Sequence, residues 1–251
     1  MILTRILEHA EERAGQLKEI PPIERYQENL SLKMAIQTVT DRNAVIAELK
    51  YASPSRGSIR KGPPPEILAQ ELIDGGCAAL SVLTEPHFFG GDCDYIRRVK
   101  AISRVPVLRK DFIIDVRQLY ETKTLNADAV LLIAAILRDR LPAFVDLSRN
   151  LGLEPLVETH NEQEVILALS TDAELIGINN RDLKMMKIDL RTTKRLSRLI
   201  DREDRVVVSE SGVVWPYDIR HLNPYCDAFL IGSSIMASQN PRKRLEGFVY
   251  A

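Results

Sequence analysis

The sequence has little that would mark a secreted, metal-holding or nucleic-acid-binding protein. Its three cysteines, Cys77, Cys93 and Cys226, are odd in number, far apart and never in a CxxC pair. That pattern argues against a disulfide framework or a zinc site and predicts free thiols in a reducing cytoplasm. The four histidines show no ligand spacing. His9 and His221 fall on predicted helices and His87 and His160 on predicted loops, and a surface or packing role is the expectation for all four. Lys and Arg number 34 against 35 Asp and Glu, a net charge of −1 without a block of either sign. Neither nucleic acid nor an anionic membrane is therefore an expected partner. The longest apolar runs, such as AVLLIAAIL (129–137), fall well short of the about 20 residues a membrane span needs. The N-terminal MILTRILEHAEERAGQLKE is charged and amphipathic, without the apolar core and small-residue cleavage site of a signal peptide. No low-complexity segment interrupts the chain.

What is present is a repeating alternation. Hydrophobic residues make up 45% of 251, enough for one sizeable core. From residue 44 onward, short β-rich runs alternate with amphipathic helical patterns. The runs are AVIAEL (44–49), AALSVLT (78–84), VPVLRK (105–110), DAVLLI (128–133), LEPLVE (153–158), AELIGIN (173–179), RVVVSE (205–210) and DAFLIG (227–232). Their ends recur every 21 to 36 residues, about the length of a strand plus a crossover helix. Eight such units predict an α/β chain folded as a single (β/α)8 barrel. An open doubly wound sheet is the alternative, but no GxGxxG follows the first run. Residues 1–43 read as a helical extension: a helix over about 3–17, a break at Pro21-Pro22 and a short helix near 31–38. No linker separates the extension from the barrel, so it is expected to pack there, making residues 1–251 one domain.

Strand side chains alternate in direction, so residues i and i+2 share a face. Ile46, Glu48 and Lys50 share one face. So do Leu108 and Lys110, Leu156 and Glu158, Gly177 and Asn179, and Val208 and Glu210. In each case a polar group ends an apolar run, at the end of a barrel strand where active sites form. A charged residue at a strand end is most often a solvated loop residue, but the recurrence suggests a ring of charges in one mouth. Arg109 and Asp111 have the opposite parity, and an ion-pair role away from the mouth is the expectation for both. SESG (209–212) and IGSS (231–234) follow the last two runs. Small residues there can cradle a phosphate with backbone N–H groups, although a plain turn would use them equally. Ser53-Pro54-Ser55 could add hydroxyls from across the mouth. Phe88, Phe89 and Phe112 follow the second and third runs, as an apolar wall for an aromatic ligand or as loop packing.

IAELKYASPSRG, DGGCAALSVLTEPHFFGG, PVLRKDFIID, ADAVLLIAAIL, LGLEPLVETH, IGINNRDL, SESGV and FLIGSSIM, in this order and spacing, resemble the indole-3-glycerol phosphate synthase family of tryptophan biosynthesis. The resemblance implies a cytoplasmic carboxy-lyase without metal or cofactor. The reaction it implies converts 1-(2-carboxyphenylamino)-1-deoxyribulose 5-phosphate to indole-3-glycerol phosphate, releasing CO2 and water. By resemblance, Lys110 is the general acid of ring closure and Glu158 the carboxylate that stabilises developing positive charge or moves protons. Lys50 and Glu48 are the acid/base pair of dehydration, and Asn179 and Glu210 complete the catalytic set. Arg181, Ser211, Phe89, Phe112, Leu131 and Leu183 match substrate-lining positions. Ser53, Gly212, Gly232 and Ser233 match the phosphate cradle. The expected partner is the small phosphorylated substrate alone, with a monomer the default. Three positions depart from the family: Tyr51 stands where Lys or Arg is usual, KGPPPE (61–66) replaces an acidic turn, and Asn126 replaces Gly. An isomerase-like barrel resembling phosphoribosylanthranilate isomerase and a non-catalytic phosphometabolite-binding barrel are the alternatives. Two lysines and three glutamates exceed what an isomerisation needs.

Overall fold

The computed structural model describes residues 2–17, 29–54, 57–182 and 185–251. Among them, eight parallel strands close into a barrel. They are β1 (Ala44–Leu49), β2 (Ala79–Leu83), β3 (Val107–Lys110), β4 (Ala129–Ile133), β5 (Glu154–Thr159), β6 (Leu175–Asn179), β7 (Val206–Glu210) and β8 (Ala228–Ile231). Each coincides with one of the eight expected runs to within two residues at either end. A parallel strand buried on both faces reads as a nearly continuous apolar run, and all eight do. Crossover helices such as Pro65–Asp74, Val116–Thr124 and Glu162–Leu169 surround the barrel. A small antiparallel pairing, Ala52–Ser53 with Gly57–Ser58, sits in the loop after β1 and has no strand-like sequence pattern.

Alternation along the strands divides the core in two. Ile46, Leu108, Leu131, Leu156, Val208 and Leu230 point inward and fill the barrel. Val45, Ala47, Val82, Val130, Ile176 and Phe229 point outward and meet the helices. Arg109 shares the outward parity and is fully buried among polar groups of β2, its own strand end and the following helix. It donates to Thr122 Oγ1 (2.9 Å) and Glu121 Oε2 (2.7 Å) and pairs with Asp111 (3.2 Å). The expected ion-pair role holds for both, but only Arg109 lies away from the mouth: Asp111 also lines the cavity there.

The helical extension engages both ends of the barrel. Helix α1 (Ile2–Gln16) crosses the mouth. Its Arg13 makes two parallel hydrogen bonds to Asp111, at 2.8 and 2.9 Å. Helix α2 (Leu32–Gln37) plugs the floor, with Leu32 and Ile36 packed in the same cluster as Ile46 and Leu108. Ser31 caps α2 by accepting from Met34 N (3.0 Å), and its hydroxyl donates to Glu154 (2.5 Å). The expected break at Pro21-Pro22 lies outside the described residues. Asn126 takes the left-handed conformation (φ 68°) in the turn before β4, which asparagine tolerates better than most residues.

Burial alone would raise the Asp111 carboxyl, but Arg13, Arg109 and Thr84 hold it far below the usual carboxylate range. A depressed folded-state pKa contributes stability above the unfolded value of about 3.9 and loses it as pH falls toward the folded value. Asp111→Asn should therefore be destabilised near neutrality, by roughly 1–3 kcal/mol as for a lost charged hydrogen bond. Urea unfolding at pH 7 and pH 3 should show the gap to the native protein narrowing at the acid end. An equal gap at both would contradict the ion-pair assignment.

Candidate active site

Every strand-end charge expected in the mouth lies there. Adjacent strands set them at nearly one level: Ile133 is opposite Glu158, Glu158 opposite Gly177, and Asn179 opposite Glu210. They line a cavity of about 190 Å3 at the C-terminal end of the barrel. Lys110 Nζ donates to Glu158 Oε2 (2.9 Å) and Glu210 Oε2 (3.1 Å), and Lys50 Nζ donates to Glu48 Oε2 (3.1 Å). Glu48, Glu158 and Glu210 are buried, and the two ammonium groups are partly accessible from the cavity.

Burial would discharge the Lys110 ammonium, but Glu158, Glu210 and Glu48 more than offset it and hold its pKa above the ordinary lysine value. Burial also pushes both facing carboxyls up. For Glu158 the opposing pull of Lys110 and His160 wins, and its pKa falls well below the carboxylate range. For Glu210 burial wins, with the Glu158 charge adding to it against Lys110, and its pKa rises. Two chemically identical groups sharing the Lys110 ammonium are thus driven apart, the kind of arrangement by which acid and base roles can be divided.

Two glycines make room for this ring. A Cβ on Gly177 would lie 2.1 Å from Glu210 Oε1, and one on Gly232 would lie 2.1 Å from Glu48 Oε2. Gly232 was singled out in the sequence only for a phosphate cradle, and Gly177 only as the inward-facing partner of Asn179. Neither spatial requirement is visible in one dimension.

The other expected residues divide clearly. Arg181, Ser211, Phe89, Phe112 and Leu131 line the cavity, as do Ser53, Gly212, Gly232 and Ser233. Leu183 and Ser55 lie outside the described residues. Phe89 and Phe112 have ring centroids 6.1 Å apart, and Lys50 Nζ lies 5.4 Å from the Phe89 ring centre. Phe88 does not join this wall. Its ring packs against His9 and Arg5 of α1, because the short helix Pro86–Phe89 turns it away from Phe89. That helix is set by buried Glu85, which accepts from the backbone N–H of His87, Phe88 and Phe89. His87 is accordingly helical rather than in a loop. Ser211 (φ 63°) and Gly212 (φ 94°) form a left-handed turn after β7, and a Cβ on Gly212 would lie 2.6 Å from Ile188. Ser234 Oγ donates to Val213 O (2.9 Å), tying this turn to the loop after β8.

Ile2, Ile6 and Leu7 form the apolar stripe by which the first helix is expected to dock over the mouth, and Ile2 and Ile6, joined by Leu3, do form part of the cavity wall. Other contributors carry no such signal in the sequence. Met186 and Ile188 add apolar surface near Arg181. Asn180 is buried and donates to Ser209 Oγ and to the carbonyls of Glu210 and Ser211, fastening β6 to the turn after β7. His160 is the main correction. Expected on the surface or in ordinary packing, it is instead wedged against Glu158. Tyr51 stacks edge-on with Tyr95 and donates to Pro63 O (3.0 Å), so it braces the loop after β1.

Fold and site together define a class: a (β/α)8-barrel protein with paired lysine and glutamate side chains and glycine–serine turns around the cavity at its C-terminal mouth. The family model described as indole-3-glycerol phosphate synthase matches residues 3–248. An indole-3-glycerol phosphate synthase of Caldanaerobacter subterraneus subsp. tengcongensis is 44% identical over 250 residues, covering 96% of each chain. One from Methanocaldococcus jannaschii is 42% identical over 223 residues, covering 88% of this chain and 83% of that one. A tryptophan synthase structure from M. tuberculosis superposes with TM-score 0.63 at 13% identity, over 88% of this chain and 98% of that one. That likeness speaks to the barrel fold alone. The chain belongs to the indole-3-glycerol phosphate synthase family, whose members are carboxy-lyases of tryptophan biosynthesis.

The close approach of Gly177 to Glu210 generates a test. Gly177→Ala must push the Glu210 carboxylate off Lys110, a forced shift of the kind that typically costs about 1–3 kcal/mol. Thermal unfolding should show a folded protein of lower Tm, with kcat at least ~10-fold reduced and KM changed much less. Unaltered kcat would mean that the position of Glu210 is immaterial.

Proposed function

We propose that this chain closes the indole ring of indole-3-glycerol phosphate, using the lysines and glutamates of the mouth in named roles. The observation that carries the reading is the sharing of one buried ammonium, Lys110, by Glu158 and Glu210 beside an aromatic-lined cavity that ends in a glycine–serine turn.

The substrate would span the cavity. Its phosphate suits the turn Ser211–Gly212, the loop Gly232–Ser233 and Ser53. Its anthranilate ring suits the wall of Phe89, Phe112 and Leu131, with Arg181 and Asn179 along the chain between. Binding at both ends bends a flexible molecule so that its arene carbon meets the ketone, a gain in orientation from groups remote from the reacting bond. The arene is a weak nucleophile toward a neutral ketone, so Lys110 gives a proton to the carbonyl oxygen as the carbon–carbon bond forms. The ring nitrogen becomes cationic, and the Glu158 carboxylate stabilises that charge. Loss of CO2 returns its electron pair to the ring. A proton from the Lys50–Glu48 pair then assists departure of the hydroxyl as water, and the loss of a ring proton restores aromaticity. Helix α1 supplies part of the cavity wall, which supports reading extension and barrel as one domain. The free thiols suit a reducing cytoplasm.

The direct test mixes the protein with 1-(2-carboxyphenylamino)-1-deoxyribulose 5-phosphate and follows indole fluorescence and CO2. A barrel that isomerises or merely binds would release no CO2. Lys110→Met keeps most of the stem and removes the acid. Turnover should fall by the ~10²–10⁴-fold typical of a lost general acid while the fold survives. Arg109→Met, one residue earlier and behind the barrel wall, should lower Tm and leave kcat of the folded protein within about threefold, far below that general-acid loss. The reverse pattern would place the wrong neighbour in the site.

A further inference from the structure

His160 follows β5 and contacts the ring of charges from outside the cavity. Its Nε2 lies 3.3 Å from Glu158 Oε1, a close ion pair rather than a directed hydrogen bond, and its Nδ1 lies 3.0 Å from Glu164 Oε2. Glu164, on the helix Glu162–Leu169, also accepts from His160 N (2.8 Å) and from Asn161 Nδ2 (2.6 Å). Helix and strand end are thereby stapled around the imidazole, whose side chain is only 10% exposed. An ionised carboxylate accepts and cannot donate, so a ring with carboxylate oxygens at both nitrogens is matched by N–H on both, which is the cation. Burial opposes that charge, but Glu158 and Glu164 outweigh it and raise the pKa to about 10.

The cation bears on the pair across the mouth. Glu158 has a positive group at each oxygen, His160 at Oε1 and Lys110 at Oε2. Glu210 has Lys110 at Oε2 only, while its buried Oε1 has no hydrogen-bond partner among the described residues. A buried anionic oxygen without a partner is costly, whereas a protonated one is not. Glu48 also faces Lys110, but it is paired with Lys50 and belongs to the opposite side of the ring.

We propose that His160 is a positioning residue whose charge keeps Glu158 the ionised member of the Glu158–Glu210 pair, so that the proton the pair retains resides on Glu210. The ring then presents a fixed anion on one side of Lys110 and, two strands away on its other side, a carboxylic acid able to exchange a proton with substrate. The consequence for turnover rests on the function proposed above; the location of the proton does not.

The experiment reads the proton directly in protein without substrate. Infrared spectroscopy across a pH titration follows the C=O band of a protonated carboxyl. In the native protein the band should persist above the ordinary carboxylate range and vanish in Glu210→Gln. In His160→Gln, which removes the charge and keeps a polar side chain, Glu158 loses a stabilising cation and takes a share of the proton. The midpoint should then rise, by up to about one pH unit, the scale of a neighbouring charge. His160→Lys should return it. With substrate, the acid limb of the pH profile of kcat should move to higher pH in His160→Gln, because Glu158 is harder to ionise, and move back in His160→Lys. A midpoint unchanged in His160→Gln, or a band that survives in Glu210→Gln and is lost in Glu158→Gln, would overturn the proposal. Should His160→Gln fail to fold, the Glu210→Gln and Glu158→Gln spectra still decide where the proton lies. Absence of turnover in every form, with the infrared result intact, would count against the proposed function alone.

Discussion

A buried ammonium organises this molecule. Lys110 sits where burial alone would strip its proton, and it remains charged because carboxylates on β5 and β7 reach it. Neither carboxylate is near it in sequence; both arrive only if the barrel closes in the observed register. The dependence runs both ways. Glu158 would be an unpaired buried anion without Lys110 and His160, and removing one partner of such a group is far more damaging than its net contribution suggests. The ring is therefore a condition that closure must satisfy, and it leaves an ammonium facing the cavity.

That condition explains residues that look like packing details. Gly177 and Gly232 lack side chains because carboxylates of β7 and β1 occupy the space where a Cβ would be. Asn180 fastens the strand ends carrying Asn179 and Glu210. Arg109 and Lys110 are adjacent and both paired, yet fully buried Arg109 serves the helix layer and Lys110, partly accessible from the cavity, the mouth. Strand alternation separates them, and Asp111 joins the Arg109 network to α1 through Arg13. The extension is thus tied to the strand that carries Lys110, while α2 fills the opposite end of the barrel with Leu32 and Ile36. A wall of the cavity and a plug of the floor come from the same 43 residues that precede the first strand.

Membership of the indole-3-glycerol phosphate synthase family places a demanding chemistry in this frame. Ring closure needs an acid, the cation it creates needs an anion, and both must persist in a site dry enough to make them effective. Lysine and glutamate meet this only as a mutually paired set. Pairing them on separate strands lets a substrate come between them at little conformational expense.

The eight apolar runs, their spacing and the polar residues ending five of them were enough to determine a closed parallel barrel, the inward parity of Lys110 and the composition of its mouth. These are local properties: a period of two along a strand and about 21 to 36 residues between strand ends. The same reading leaves Phe88 as ligand wall or loop packing and gives His160 a surface or packing role. Phe88 turns toward α1 because Glu85 sets a single helical turn there, and His160 turns inward because Glu164, four residues on, holds its other face. The direction of a loop side chain depends on which neighbour completes its hydrogen bonds, and that neighbour is supplied by helix docking. Likewise, alternation decides that Glu158 and Glu210 face one cavity, but only their three-dimensional partners make one a firm anion and the other a weak acid. Charge in a buried site is a property of the enclosure, which the order of residues specifies only by way of the fold.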